Sequence, residues 1–239
     1  MSARLEDLTW IEAERLLTED AVVVLPIGAA AKEHGPHLRL DNDWTLAEAL
    51  VQRVMARTEI VVAPTLGYHF YPAFVEYPGS TSLRLETARD LVVDVCTSLA
   101  RFGPRRFYAL NTGVSTVRAL TPAGEELARD GIRFRFTDIL AILGPVEAEV
   151  CEQDGGTHAD ESETSMMLHL APDRVAMDLA VRDYDPKPGL TRIPGTDKGY
   201  SPSGVFGDPT LATEGKGRRL VQALVDGIVA EIEGLRRSR

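Results

Sequence analysis

The chain has 239 residues, 44% apolar and 26% charged, enough to bury a sizeable core without disulfide staples, as one large domain or two small ones. Its 26 basic against 36 acidic residues give a formal charge of -10, which argues against a global electrostatic footprint for nucleic acid or an anionic membrane. The two cysteines, Cys96 and Cys151, lie far apart and in no metal or redox spacing, so a disulfide framework is excluded and a reducing compartment fits better. The opening MSARLEDLTWIEAERLL carries acids where a secretory leader needs a basic start and an apolar core. No run approaches the ~20 apolar residues of a membrane helix. These readings predict a soluble protein of the cytoplasm, with neither nucleic acid nor membrane as partner.

In chain order, Thr9 and Glu12 read as a capping box that opens a short helix through Leu17. AVVVLPI (21–27) is a continuous β-branched run of the kind buried in a parallel sheet. KEHGPHLRLDND (32–43) separates it from an amphipathic helix over 44–57, and EIVVAP (59–64) reads as the second strand. Thr87 and Asp90 read as caps for a helix that begins TARDLVV. FYALN (107–111) is a third strand ending in NTGVST, and Thr121-Pro122 reads as a helix start with proline at the favoured first position. RFRFTDILAIL (133–143) alternates as a strand before turning uniformly apolar, and SETSMMLHLAP (162–172) reads as a helix stopped by Pro172. Residues 183–209, rich in Pro, Gly and Asp, form a long irregular stretch; the last helix carries one apolar stripe, Leu220, Leu224, Ile228, Ile232 and Leu235. Strands alternating with helices predict a three-layer α/β/α sandwich with a mainly parallel central sheet, as one domain over 1–239. Sites in such folds form at the carboxyl ends of the strands, which singles out the segments 28–43, 111–120 and 183–209.

Two of the five histidines, His34 and His37, lie in EHGPHLRLDND beside Glu33, Asp41 and Asp43. Imidazole and carboxylate together suit a borderline or hard divalent ion, and Gly35-Pro36 forces a turn on which such ligands can converge. Helix capping by Asp41, Asn42 or Asp43 explains part of the cluster equally well. A second cluster, THADESETS (157–165), sets His158, Asp160, Glu161 and Glu163 at a helix start. The macrodipole favours acids there in any case, whereas His158 suits a proton carrier. His169 reads as a core or interface residue, and His69, among Tyr68, Phe70, Tyr71, Phe74 and Tyr77, as loop packing or a pocket wall. No GxxxxGK[ST], no GxGxxG after a strand and no GxSxG elbow occurs.

Taken in order, LPIGAAAKEHGPHLRLDND, EYPGSTSL, HADESETSMMLHLAP and PSGVFGDPTLATEGKG resemble the successive signatures of the creatininase (creatinine amidohydrolase) family, from about Leu25 to Gly217. The resemblance implies a three-layer α/β fold, often assembled as a hexamer, and hydrolysis of cyclic amides or formamides at two zinc or manganese ions. It carries the metal histidine onto His34, the bridging aspartate onto Asp43, and the His-Ala-Gly-Glu histidine and glutamate onto His158 and Glu161. Two positions depart. The family's first glutamate falls on Lys32, so either Glu33 takes over through a loop one residue longer or that ligand is lost. The metal histidine of the family's Asn-Gly-His-Gly-Gly-Asn falls on Gly113.

The leading expectation is therefore a metal-dependent hydrolase of a small cyclic amide or related C–N bond, with a modified site. A divalent ion, zinc or manganese and one in number if the lost ligands are not replaced, would be held by Glu33, His34, Asp43 and Glu161, with His37 or His158 as substitutes. His158 would deliver a proton to the leaving nitrogen or hold an intermediate's oxyanion, and Glu163 would orient His158 or cap the helix. The altered ligand set disfavours creatinine itself. The alternatives are an isomerase, lyase or lactonase on the same fold, or a non-catalytic small-molecule-binding member. A small-molecule substrate and a homo-oligomer are the expected partners.

Overall fold

Five parallel strands, β1 (Ala3–Arg4), β2 (Val22–Ile27), β3 (Val61–Val62), β4 (Arg106–Asn111) and β5 (Arg133–Phe136), make one sheet in the order β1-β3-β2-β4-β5. The structure is a computed structural model that describes residues 2–237. All six residues of β2 are buried, because the strand is paired on both sides and covered on both faces. Its register with β4 runs from Val22↔Arg106 to Ile27↔Asn111. Pro26 sits in this central strand without donating a hydrogen bond. Its carbonyl accepts from Leu66, so the missing donor faces the side where β3 has already ended.

Alternation along β2 divides the core in two. Val22 and Val24 pack under α2 (Asn42–Met55), α5 (Ile139–Val150), α6 (Glu161–Leu170) and α7 (Glu214–Arg237), through Leu46, Leu50, Met166, Leu224 and Ile228. Val23, Leu25 and Ile27 face the other way, onto Leu17 after α1 (Trp10–Leu16), onto Val92 and Cys96 of α3 (Leu85–Ala100), and onto Leu120 and Ala123 of α4 (Val117–Arg129). This is the three-layer sandwich with a parallel sheet. Each fully buried aliphatic side chain contributes about 2 kcal/mol. Burial pushes the Cys96 thiol up to about 12, which makes it core and not a nucleophile. No described helix is long and apolar enough to cross a membrane.

Several element boundaries differ from the sequence reading. The capping box of Thr9 and Glu12 is present. The strand expected over 59–64 shrinks to Val61–Val62. The helix expected from 44 begins at Asn42, and Asp41 makes no capping bond because its carboxylate is taken by Arg174. Thr87 and Asp90 lie inside α3 and cap nothing. That helix starts at Leu85, where Leu83 and Leu85 pack on Phe70, Ala88 and Ala119. Helix α4 starts at Val117 and carries Pro122 inside it. The Thr116 hydroxyl, 2.6 Å from both Asn111 Oδ1 and the Gly113 carbonyl, ties the residue ahead of the helix to the loop after β4, and Pro122 costs the helix one bond to the Arg118 carbonyl. Within 183–209, β6 (Leu190–Thr191) and β7 (Gly199–Tyr200) pair in parallel.

Candidate metal centre

Three segments converge at the carboxyl ends of β2 and β4: the loop after β2, the loop after β4 and the turn ahead of α6. Gly28 ends β2, and a Cβ there would overlap the Asp43 carbonyl, so glycine lets the first turn of α2 close onto the sheet. Trp44 donates its N–H to the Ala29 carbonyl at 3.1 Å. Asp43 is thereby buried completely in a helical first turn, where negative charge is favoured.

His34 Nε2 lies 2.8 Å from Asp43 Oδ1 and 3.5 Å from Glu163 Oε1. Its Nδ1 lies 2.9 Å from the Lys32 carbonyl, a partner that assigns Nδ1 as donor. Nε2 and Oδ1 would both be acceptors, so a positive charge belongs between them. Burial and the Lys32 ammonium oppose charging the ring, but Asp43 and Glu163 outweigh them and raise His34 to about 9. The Lys32 ammonium and the His34 ring together hold the Asp43 carboxyl low against its burial, with Glu163 working the other way. Glu163 is held well below its ordinary value, with His34, His158 and Lys32 overcoming burial.

His158 enters from the other side. Phe206 N–H donates to the His158 carbonyl at 2.9 Å, and the Phe74 ring lies 4.3 Å from the imidazole. The next residue, Ala159, has φ +48°, a left-handed conformation that costs about 1–2 kcal/mol outside glycine. Its N–H donates to Glu163 Oε2 at 2.6 Å, which holds the strained turn in place. His158 Nε2 donates to Glu33, 2.7 Å from Oε1 and 3.0 Å from the carbonyl. Nδ1 is then left 3.7 Å from Glu163 Oε2. Burial lowers the His158 pKa, with Glu33 working against it, so the ring is neutral at rest.

Lys32 completes the cluster. Its ammonium, 5% exposed, lies 2.8 Å from Asp43 Oδ2. Burial disfavours the charge, but Asp43, Glu163 and Glu33 together raise its pKa. A cavity of about 240 Å³ opens above, lined by Lys32, Phe74, Thr112, Gly113, His158, Glu163, Leu190 and Phe206 among others.

The structure distributes the residues singled out in the sequence unevenly. His34, Asp43, His158 and Glu163 meet, and ligand atoms of His34, His158 and Glu163 lie within 4.8 Å of one another. Glu33 turns to His158 and to the Gly35 N–H at 2.9 Å, not into the space beside Asp43, which Lys32 fills. Glu161 is not brought to the cluster. Its carboxylate is fully buried against Lys216 and the N–H groups of Glu152 and Gln153, both at 2.8 Å. Glu163 reaches both His34 and His158, and it is Asp160 that caps α6, accepting from the Glu163 N–H at 3.0 Å. His37 bonds Thr164 Oγ1 at 2.8 Å, and burial lowers it to about 4. His69 packs beside Tyr71, away from the cluster, and His169 is paired with Glu214. The ion pair of Lys32 escaped the sequence reading; the signal for it was a lysine two residues before a histidine in a carboxylate-rich turn.

The donor set fits one divalent ion. One imidazole and two carboxylates converge in burial, the His34 ring is oriented by a carbonyl on its far nitrogen, and the proton shared by His34 and Asp43 marks a place that calls for a cation. Beside Asp43 Oδ2 the ammonium leaves no corresponding place.

The profile of the creatininase (creatinine amidohydrolase) family matches residues 6–232. The chain is similar to the mycofactocin precursor peptide peptidase of Mycobacterium tuberculosis, 31% identical over 226 residues that cover 88% of this chain and 84% of the relative. It is also similar to the creatinine amidohydrolase of Pseudomonas putida, 30% identical over 248 residues with 95% and 94% covered. A solved mutant creatininase of Zn-Zn type superposes with a TM-score of 0.82 at 27% identity over the whole of both chains. Shared fold, ordered motifs and family profile lead to one conclusion: the chain belongs to the creatininase family.

Proposed function

We propose that this chain is a metal-dependent hydrolase of a C–N bond in a small amide, cyclic or peptide-like, with a single zinc or manganese ion held by His34, Asp43 and Glu163. The observation that carries this reading is the cluster around His34, whose Nε2 lies 2.8 Å from Asp43 Oδ1 and 3.5 Å from Glu163 Oε1, beside a cavity lined by Glu163 and His158. The amidohydrolase and the peptidase among the relatives are both named for cleavage of an amide C–N bond, which supports the reaction class.

An ion at this place supplies Lewis acidity and lowers the pKa of a water. His158 is the proton carrier: neutral at rest, it takes at Nδ1 a proton from the attacking water and passes it to the leaving nitrogen as the C–N bond breaks, while Glu33 on Nε2 steadies the imidazolium. Glu163 fixes the Ala159 turn and so aims the His158 ring. Phe74 and Leu190 line the cavity with apolar surface, which strengthens the charge interactions beside it.

The test is metal content by elemental mass spectrometry after purification without added metal, for the wild type, His34→Ala and Asp43→Asn, followed by hydrolysis assays on a panel of lactams and short peptides. About one ion per chain, lost in both variants, with turnover that follows the metal, is the expected result. A protein that takes up neither zinc nor manganese on titration sinks the reading.

A further inference from the structure

The Asp43 carboxylate meets a cationic partner on each oxygen: the His34 imidazole at 2.8 Å from Oδ1 and the Lys32 ammonium at 2.8 Å from Oδ2. A carboxylate that bridges two ions uses its oxygens in this way, with the ions ~3.5–4 Å apart. Here one of the two positions is filled by the chain itself. The ammonium is held by the turn that aims His34. Lys32 N–H donates to the Leu40 carbonyl at 2.9 Å, and the Lys32 carbonyl is the partner of His34 Nδ1. The Phe74 ring lies 4.7 Å from Nζ and stabilises the charge from the cavity side. On the β4 side, Asn111-Thr112-Gly113-Val114-Ser115-Thr116 offers no imidazole and no carboxylate. The relative of Zn-Zn type therefore has no counterpart for one of its ions in this donor set.

We infer that the Lys32 ammonium is a built-in replacement for a second metal ion: it caps Asp43, limits the cluster to one divalent ion, and presents a fixed positive charge to the carbonyl oxygen of a substrate in the cavity. An ammonium donates hydrogen bonds and balances charge on a developing oxyanion, but it cannot acidify a water as an ion does. Lys32 is thus an electrostatic catalytic residue, and the division of labour differs from that of a two-ion site. The inference rests on the hydrolase reading only for the role of the ammonium in catalysis; the limit on ion number stands apart from it.

The experiment is zinc and manganese titration of the chelator-stripped protein, read by calorimetry and elemental mass spectrometry, on the wild type, Lys32→Met and Lys32→Glu, with thermal melts in parallel. The wild type should saturate at one ion per chain. Lys32→Met, which removes the charge and adds no ligand, should keep that one ion and bind it about tenfold tighter, as like-charge repulsion at this range is relieved. Lys32→Glu should gain an ion and melt higher with zinc than without it. Two ions on the wild type, or a Lys32→Met variant that binds its ion no tighter than the wild type, overturns the inference. If Lys32→Glu folds only with zinc, the count on zinc-refolded protein serves in its place. A wild type that binds no ion beside a Lys32→Glu variant that binds one confirms the block by Lys32 and defeats the metal-dependent reading. No ion on either protein defeats both.

Discussion

Glu33 and His158, 125 positions apart in the chain, meet at 2.7 Å between Oε1 and Nε2, and both side chains are buried. That contact joins the loop after β2 to the turn before α6, and it fixes which ring nitrogen of His158 faces the cavity. Behind it sits Gly204, with φ +85° and no room for a side chain: a Cβ would overlap Glu33 Oε2. Gly204→Ala should push the Glu33 carboxylate off His158, lowering stability by about 2 kcal/mol and turnover on the order of 10²-fold. Imidazole proton shifts by NMR and a thermal melt check this; an unchanged His158 signal would remove Glu33 from the positioning of the ring.

Glu161 and Glu163 make a matched pair of opposite fates. Glu163→Gln should weaken zinc binding about 10–100-fold, because its carboxylate faces both His34 and His158. Glu161→Gln should keep the ion and lower stability by roughly 3 kcal/mol, since the buried partner of Lys216 is lost. Metal affinity by competition with a chromogenic chelator, together with urea denaturation, separates them. Loss of the ion in Glu161→Gln would restore that residue as a ligand.

Helices α6 and α7 cross at Gly217, where a Cβ would overlap the Ser165 carbonyl. Gly217→Ala should force the helices apart, at a cost of about 3 kcal/mol or more, and should shift α6 with Glu163 on it. The expected signature is a lower melting temperature together with a weaker zinc affinity. A variant as stable as the wild type would show that the crossing can relax.

Acid should destabilise the fold through His69. Burial lowers its pKa to about 4, against a contact with the Ala88 backbone that works the other way, from an ordinary value of 6.5. The folded state therefore keeps His69 neutral where the unfolded chain takes up a proton. Nothing is lost above pH 6.5, and stability declines from there down to pH 4, by about 3 kcal/mol in full and about 1 kcal/mol by pH 5.5. His34 in the ion-free protein runs in the opposite sense: its raised value, about 9, stabilises fully below pH 6.5 and is lost as pH rises through 9. Comparing His69→Leu with the wild type isolates the first effect: the difference in urea midpoint between pH 7.5 and 5.5 should shrink in the variant. Parallel profiles would contradict it.

The layers were legible because they rest on local periodicity. The β-branched run of β2 predicted a buried parallel strand, the stripe from Leu220 to Leu235 predicted α7, and the capping box at Thr9 was correct to the residue. Boundaries failed where distant contacts decided them, as at Asp41, drawn to Arg174, and at Thr87, absorbed by the packing around Leu85. The clusters holding His34, Asp43, His158 and Glu163 were visible as concentrations of ligand-type residues, but the partner of each was not.

By itself the sequence determined the layer order, the motifs and the two concentrations of ligand-type residues, because hydrophobic period and turn chemistry act over a few residues. Only the tertiary structure decided that Glu33 serves His158, that Glu161 belongs to Lys216 and Glu163 to the cluster, and that the Lys32 ammonium fills the space beside Asp43. Neighbouring side chains on one turn point in different directions. Which of them reaches a charge on another element depends on backbone φ, on helix crossing and on burial, and none of these is a property of adjacent residues alone.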